Sequence, residues 1–138
     1  MKGQQNIINE MFLFAFGLFF LIFVSFFFIY FNNWLSDLTV KESLETISVL
    51  LSSSILKIYE TGGNGSIKIK IPQQINDRIY SAEAFGNRII VYDVYYPNIT
   101  VTQSIFYIST NKNINGGLFS SYGYAVIKSI GSNIELGR

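Results

Sequence analysis

The sequence predicts an α+β protein. A long N-terminal transmembrane helix continues into an amphipathic helix, and that helix packs on a small, mostly antiparallel β-sheet. Three observations predict it. Residues 11–31 form a run of 21 without one charge, holding 10 of the 13 Phe in the chain. Apolar residues then recur at Leu44, Ile47, Leu51, Ile55 and Ile58, spaced three or four apart as on one face of a helix. From Gly65 the period changes to two, the signature of strands. With 138 residues there is room for one small domain and an appendage. Charged residues make up 14%, against about 25% in a typical soluble domain. That deficit is concentrated in the first apolar run and excludes an ordinary soluble globule.

At ~1.5 Å per residue, 21 helical residues reach ~32 Å, which matches a bilayer core of ~30 Å. Every face of the run is apolar, and the rest of the chain is too short to wrap it, so a membrane span over residues 4–33 is expected. Tyr30 and Trp34 stand where an interfacial aromatic belt belongs, followed by Asn32, Asn33 and Asp37. A cleaved secretory signal would have an apolar core of about 7–15 residues and a small-residue cleavage site. This run is longer and ends in Phe-Ile-Tyr-Phe-Asn-Asn-Trp, without such a site. Lys2 precedes the span, and the nearest base after it is Lys41, so the N-terminus is expected on the cytoplasmic side and the C-terminal domain outside. Asn64-Gly65-Ser66 and Asn98-Ile99-Thr100 match the acceptor pattern for N-glycosylation, making Asn64 and Asn98 candidate sites.

Residues 34–61 carry the amphipathic helix, with Ser36 as a candidate N-cap and Thr61-Gly62-Gly63-Asn64-Gly65 as the stop. Leu35, Leu38, Val40, Leu50 and Leu56 widen its stripe. The stripe suits packing on the protein's own sheet or on neighbouring copies. No Pro or Gly separates Phe31 from Ser36, so one long rod is compatible with the sequence.

Residues 62–138 are expected to form an extracytoplasmic β domain of five or six strands. Ile67, Ile69 and Ile71 alternate with Lys68 and Lys70, and Pro72 ends that strand. A second strand covers about 79–85, and Gly86-Asn87 turns the chain into a partner over 88–95. Tyr96-Pro97-Asn98 is a turn, residues 100–109 a strand, and residues 111–117 a polar loop. Residues 122–130 and 133–136 close a hairpin around Gly131-Ser132. The helix is the natural cover for one sheet face. Tyr80, Tyr92, Tyr95, Tyr96, Tyr107, Tyr122 and Tyr124 suit sheet and core, or a sticky outer face.

Several chemistries drop out. The chain has no Cys and no His, which excludes disulfides, Cys/His zinc sites and thiol or His-assisted nucleophiles. Ten basic against nine acidic residues give no basic excess for nucleic acid. Asp77, Glu83 and Asp93 fit no paired-carboxylate or metal spacing and read as solvated strand-face charges. Ser52, Ser53 and Ser54 lack a general base, and Lys57 beside Ser53 reads as coincidence. Gly62-Gly63-Asn64-Gly65 lacks the Gly-Lys-Ser/Thr ending of a phosphate loop. The sequence therefore reads as non-enzymatic, with no cofactor and no metal.

The first ten residues, Met-Lys-Gly-Gln-Gln-Asn-Ile-Ile-Asn-Glu, stand directly before the apolar run. This stretch resembles the leader of archaeal type IV pilin-like proteins, the class III signal peptide. The later pattern Ile67-x-Ile69-x-Ile71-Pro72, Ile75, Tyr80, Gly86-Asn87 also resembles small members of that family. The resemblance implies residues 1–3 as a leader, a prepilin peptidase acting between Gly3 and Gln4, and a pilin-like fold. It implies a structural role at the cell surface as a minor pilin or pseudopilin, with membrane lipid and like pilin subunits as partners. Glu10 is the candidate assembly carboxylate. It is seventh from Gln4, whereas polymerising members carry Glu at the fifth position. The rival expectation is a non-polymerising single-span protein whose β domain binds a surface-layer partner, as archaellum stator proteins do.

Overall fold

The computed structural model describes residues 2–105 and 112–138, with side chains from residue 6. The chain divides into two compact units, Met1–Ser36 and Asp37–Arg138.

A single α-helix, α1, runs over Lys2–Glu60, 59 residues. It passes through Gly17, and no Pro or Gly between residues 18 and 61 interrupts it thereafter. Ser36, expected as an N-cap, therefore caps nothing: residues on both sides of it are helical. The helix stops where expected. Gly62 adopts φ 68°, a left-handed conformation that side chains disfavour. Its N–H bonds the Tyr59 carbonyl at 3.1 Å, and the Thr61 hydroxyl donates to the Ile58 carbonyl at 2.7 Å.

The second unit contains one seven-stranded sheet. Its strands are β1 Gly65–Lys70, β2 Tyr80–Phe85, β3 Arg88–Asp93, β4 Thr100–Ser104, β5 Asn113–Phe119, β6 Tyr124–Ile130 and β7 Asn133–Gly137. The spatial order is β1-β6-β7-β5-β2-β3-β4. Five of the six pairings are antiparallel; β5 and β7 run parallel. Both hairpins read from sequence are present: Phe85 pairs Arg88 around Gly86-Asn87, and Ile130 pairs Asn133 around Gly131-Ser132. Residues 113–117 of the expected polar loop, together with Leu118 and Phe119, form a strand lying between β7 and β2. Tyr122 belongs to a short 3-10 turn, Ser120–Tyr122, before β6. Tyr107 and the expected strand continuation over 106–109 lie outside the described residues.

One face of the sheet packs on the helix. Leu44, Ile47, Leu51, Ile55 and Ile58 are all buried, joined by Val40. Opposite them lie Ala82, Ala84, Ile89, Val91, Ile114, Ile127 and Ile134. Each large side chain so buried contributes about 1.5–3 kcal/mol relative to exposure. The stripe is thus covered by the protein's own sheet. Leu38 and Leu50, at its margin, keep about 40% of their surface exposed.

Candidate functional site: the apolar helix segment and the Arg78 cluster

The first unit presents apolar side chains in every direction. Phe12, Phe26 and Tyr30 are 75%, 73% and 76% exposed. Mean hydropathy reaches 2.8 over an 18-residue window, none of it buried inside the protein. This helix is long and apolar enough to cross a membrane. The backbone is satisfied within the helix, as hydrocarbon demands. Ser25, the one hydroxyl-bearing serine in the run, donates to the Leu21 carbonyl at 2.8 Å and so hides its polarity. Phe27 and Phe31 rings stack at 6.3 Å, and Trp34 follows at 5.9 Å from Phe31.

The structure places the candidate residues as follows. Gly3 and Gln4 belong to α1; the Gln4 side chain lies outside the described residues. Glu10 is exposed on the helix just before the apolar run. Asn64 lies in the exposed connection to β1, and its Oδ1 accepts the Gly131 N–H at 2.8 Å, fixing that connection to the β6–β7 turn. Asn98 is exposed in the β3–β4 loop, where Thr100 donates its hydroxyl to the Pro97 carbonyl at 2.6 Å. Asn64 and Asn98 lie in different loops of the second unit, before β1 and between β3 and β4.

A polar cluster that sequence reading missed sits in the second unit. Ile75 and Arg78 bond each other's backbones, at 3.0 and 2.9 Å, around Asn76 and Asp77, which both take positive φ (47° and 60°). This is the two-residue turn for which Asn and Asp are suited. It presents Arg78 to two carboxylates. Arg78 Nη2 lies 2.8 Å from Asp37 Oδ1, and Nη1 lies 3.4 Å from Asp93 Oδ2. The Tyr96 ring stacks against the guanidinium at 4.7 Å. Burial alone would lower the Arg78 pKa; the bonds to Asp37 and Asp93 outweigh it and raise it further. The group stays charged at any working pH, so the cluster offers structure and not proton transfer.

Asp93 corrects an expectation. It is not a solvated strand-face charge but 1% exposed. Its Oδ1 accepts the N–H groups of Tyr95 and Tyr96 at 2.8 and 3.1 Å. A buried carboxylate is tolerable when cation and N–H donors surround it. Asp77 is exposed in its turn, and Glu83 is exposed on the sheet. Glu83 accepts the Tyr92 phenol at 2.7 Å; this bond is the largest influence raising the Tyr92 pKa, while a bond from Ser81 opposes it.

The serine run is chemically occupied. Ser52 donates to the Val49 carbonyl, and Ser53 and Ser54 both donate to Leu50, at 2.8–2.9 Å. A groove of about 460 Å³ lies between α1 and residues 72–76, but Ser43 and Thr46 on its wall likewise donate to carbonyls of their own helix. Among the described residues no cluster of acidic side chains could hold a metal ion. The tyrosines divide by environment: Tyr80 is core, Tyr92 and Tyr124 are half-buried, and Tyr95, Tyr96 and Tyr122 are exposed.

No protein-family model, curated protein or solved structure matches this chain.

Proposed function

We propose that the chain is a pilin-like structural subunit, a minor pilin or pseudopilin, of a type IV filament or related cell-surface assembly. The observation that carries this reading is one helix with two different surfaces. Over residues 11–31 it is apolar all round; from Val40 it buries a single stripe against its own sheet. The first surface suits a lipid environment and equally a bundle of like helices, because Phe rings offer large area to either. The second fixes a folded domain to the end of that helix. The leader-like start of the chain supports removal of residues 1–3 by a prepilin peptidase, giving a new amino terminus at Gln4. In this reading the apolar segment holds the precursor in the membrane with the sheet domain outside, and later exchanges lipid for neighbouring helices. Glu10 then faces the crowded ends of those neighbours.

The position of Glu10 favours a second reading, a permanent single-span protein whose outer domain binds a surface-layer partner. The two separate on one measurement: intact mass and N-terminal sequencing of the protein from its native membrane. A chain beginning at Gln4 supports the pilin-like reading. A chain beginning at Met1 overturns processing and leaves the permanent anchor. A chain beginning beyond residue 31 overturns both.

A further inference from the structure

We propose that the β3–β4 loop, residues 94–98, is a membrane-contact surface that rests in the headgroup layer of the bilayer. The proposal depends on the membrane-spanning reading of residues 11–31 and adds a second attachment to it.

Position is the first argument. Asp37 comes three residues after Trp34 and six after Phe31. In a helix those separations are ~5 and ~9 Å. The headgroup layer is itself about 5–7 Å deep on each side of the hydrocarbon. Asp37 is thus confined by the chain to the neighbourhood of that layer. Arg78 ties the loop to it, bonding Asp37 on one side and holding Asp93 and the Tyr96 ring on the other.

Composition is the second argument. Tyr95 and Tyr96 are 66% and 53% exposed, with Val94 also exposed beside them. Adjacent exposed tyrosines, each an apolar ring with a polar tip, match the side chain that membrane interfaces favour.

The third argument is the backbone, and it explains why Asp93 is buried. A loop whose N–H groups are already bonded within the protein leaves bulk water for the headgroup layer at less cost. Asp93 N–H bonds the Ile99 carbonyl at 3.1 Å, and Val94 N–H bonds Ile79 at 3.0 Å. Tyr95 and Tyr96 N–H both bond Asp93 Oδ1, and Ile99 N–H bonds the Tyr96 carbonyl at 2.8 Å. Pro97 has no N–H to satisfy. The loop therefore turns the N–H groups of Val94, Tyr95 and Tyr96 inward while the Tyr95 ring and half of Tyr96 stay exposed.

The absence of Cys makes the test direct. Single-cysteine variants of the full chain are labelled with a small fluorophore and reconstituted in phosphatidylcholine vesicles carrying nitroxide lipids. Asn98→Cys reports the loop. Phe85→Cys is the control: it is exposed at the opposite end of β2 from Tyr80, about 17 Å away along the strand. Phe20→Cys reports the span. Headgroup nitroxide should quench the residue-98 label several-fold more than the residue-85 label, and Tyr95→Ser with Tyr96→Ser should remove that difference. Equal quenching at both positions, with the residue-20 label quenched by acyl-chain nitroxide, overturns loop docking and leaves the span intact. Persistence of the difference in the Ser variant also overturns docking, since mere tethering then accounts for it. An unquenched residue-20 label overturns the span and this proposal together.

Discussion

Arg78 and Asp93 show how unequal two bonds to one side chain can be. Asp37 is half exposed, so its pairing with Arg78 is weakened by solvent; Asp93 is enclosed. Asp37→Ala should therefore cost under about 1 kcal/mol. Arg78→Ala strips the cation from a buried carboxylate that keeps two N–H donors, and should cost about 2 kcal/mol. Guanidinium unfolding of the full chain in detergent, followed by tyrosine circular dichroism, would rank the two. Equal losses would show that Asp93 does not need its cation. Tyr80 gives a pH signature. Its phenol is buried, which raises its pKa, and it donates to the Pro72 carbonyl at 2.7 Å. The folded state then holds its proton above pH ~10, where the unfolded chain releases it. Stability contributed by this group is complete below pH ~10 and falls as pH rises past it, by at most ~1.4 kcal/mol per unit. Tyr80→Phe should lose about 1 kcal/mol at neutral pH and flatten the alkaline decline. An unchanged alkaline slope in that variant would show that Tyr80 is not its source. Of this cluster the sequence disclosed only fragments. The alternation in β3 puts Asp93 on the inward side, but its charge argued for the outside, and only the partners Arg78, Tyr95 and Tyr96 resolve that conflict. Asn76-Asp77 is a legible turn signal, since both residue types tolerate the positive φ found there.

At the scale of elements, legibility tracks how far local pattern and tertiary demand agree. The helix stripe was readable because five residues at helical spacing are all buried on one sheet. Leu51→Ala, at a fully buried stripe position, should cost about 2–5 kcal/mol. Leu38→Ala, at an exposed one, should stay within about 0.5 kcal/mol; comparable losses would mean that the stripe is not the packing face. β5 was unreadable for the opposite reason. Asn113-Ile-Asn-Gly-Gly-Leu-Phe119 has loop composition, and only Ile114 and Leu118 are buried. It becomes a strand because β2 and β7 flank it, and its glycines are what that crowding requires. Gly116 has φ 115° and sits where a Cβ would run into the Leu136 backbone of the parallel partner β7. Gly116→Ala should lose at least about 3 kcal/mol through strain and overpacking. Gly131, with open space around it and a positive φ, should lose only about 1 kcal/mol on the same change. Thermal midpoints of the two variants would separate close approach from turn geometry. Ser36 failed as an N-cap because a capping residue matters only where a helix begins, and nothing in residues 18–61 interrupts this one.

For the whole molecule the governing quantity is the margin by which the first unit prefers hydrocarbon. Residues 11–31 contain 10 Phe, 3 Leu, 2 Ile and 1 Val. At about −0.3 to −0.6 kcal/mol each on insertion scales, these sixteen sum to about −5 to −10 kcal/mol. An arginine near the centre adds about 2.5–3.5 kcal/mol and forfeits the residue it replaces. One substitution should therefore leave insertion favourable, and three should abolish it. Phe20→Arg is expected to remain in the membrane after alkaline carbonate extraction, whereas Phe19→Arg, Phe20→Arg and Phe23→Arg combined should be released. The sheet domain supplies the internal check. Its core lies wholly in Asp37–Arg138, so tyrosine circular dichroism of the released triple variant should keep its folded form. Release after the single change would mean that the apolar run holds the membrane far less firmly than its composition implies. Retention of the triple variant would mean that attachment does not run through these residues at all.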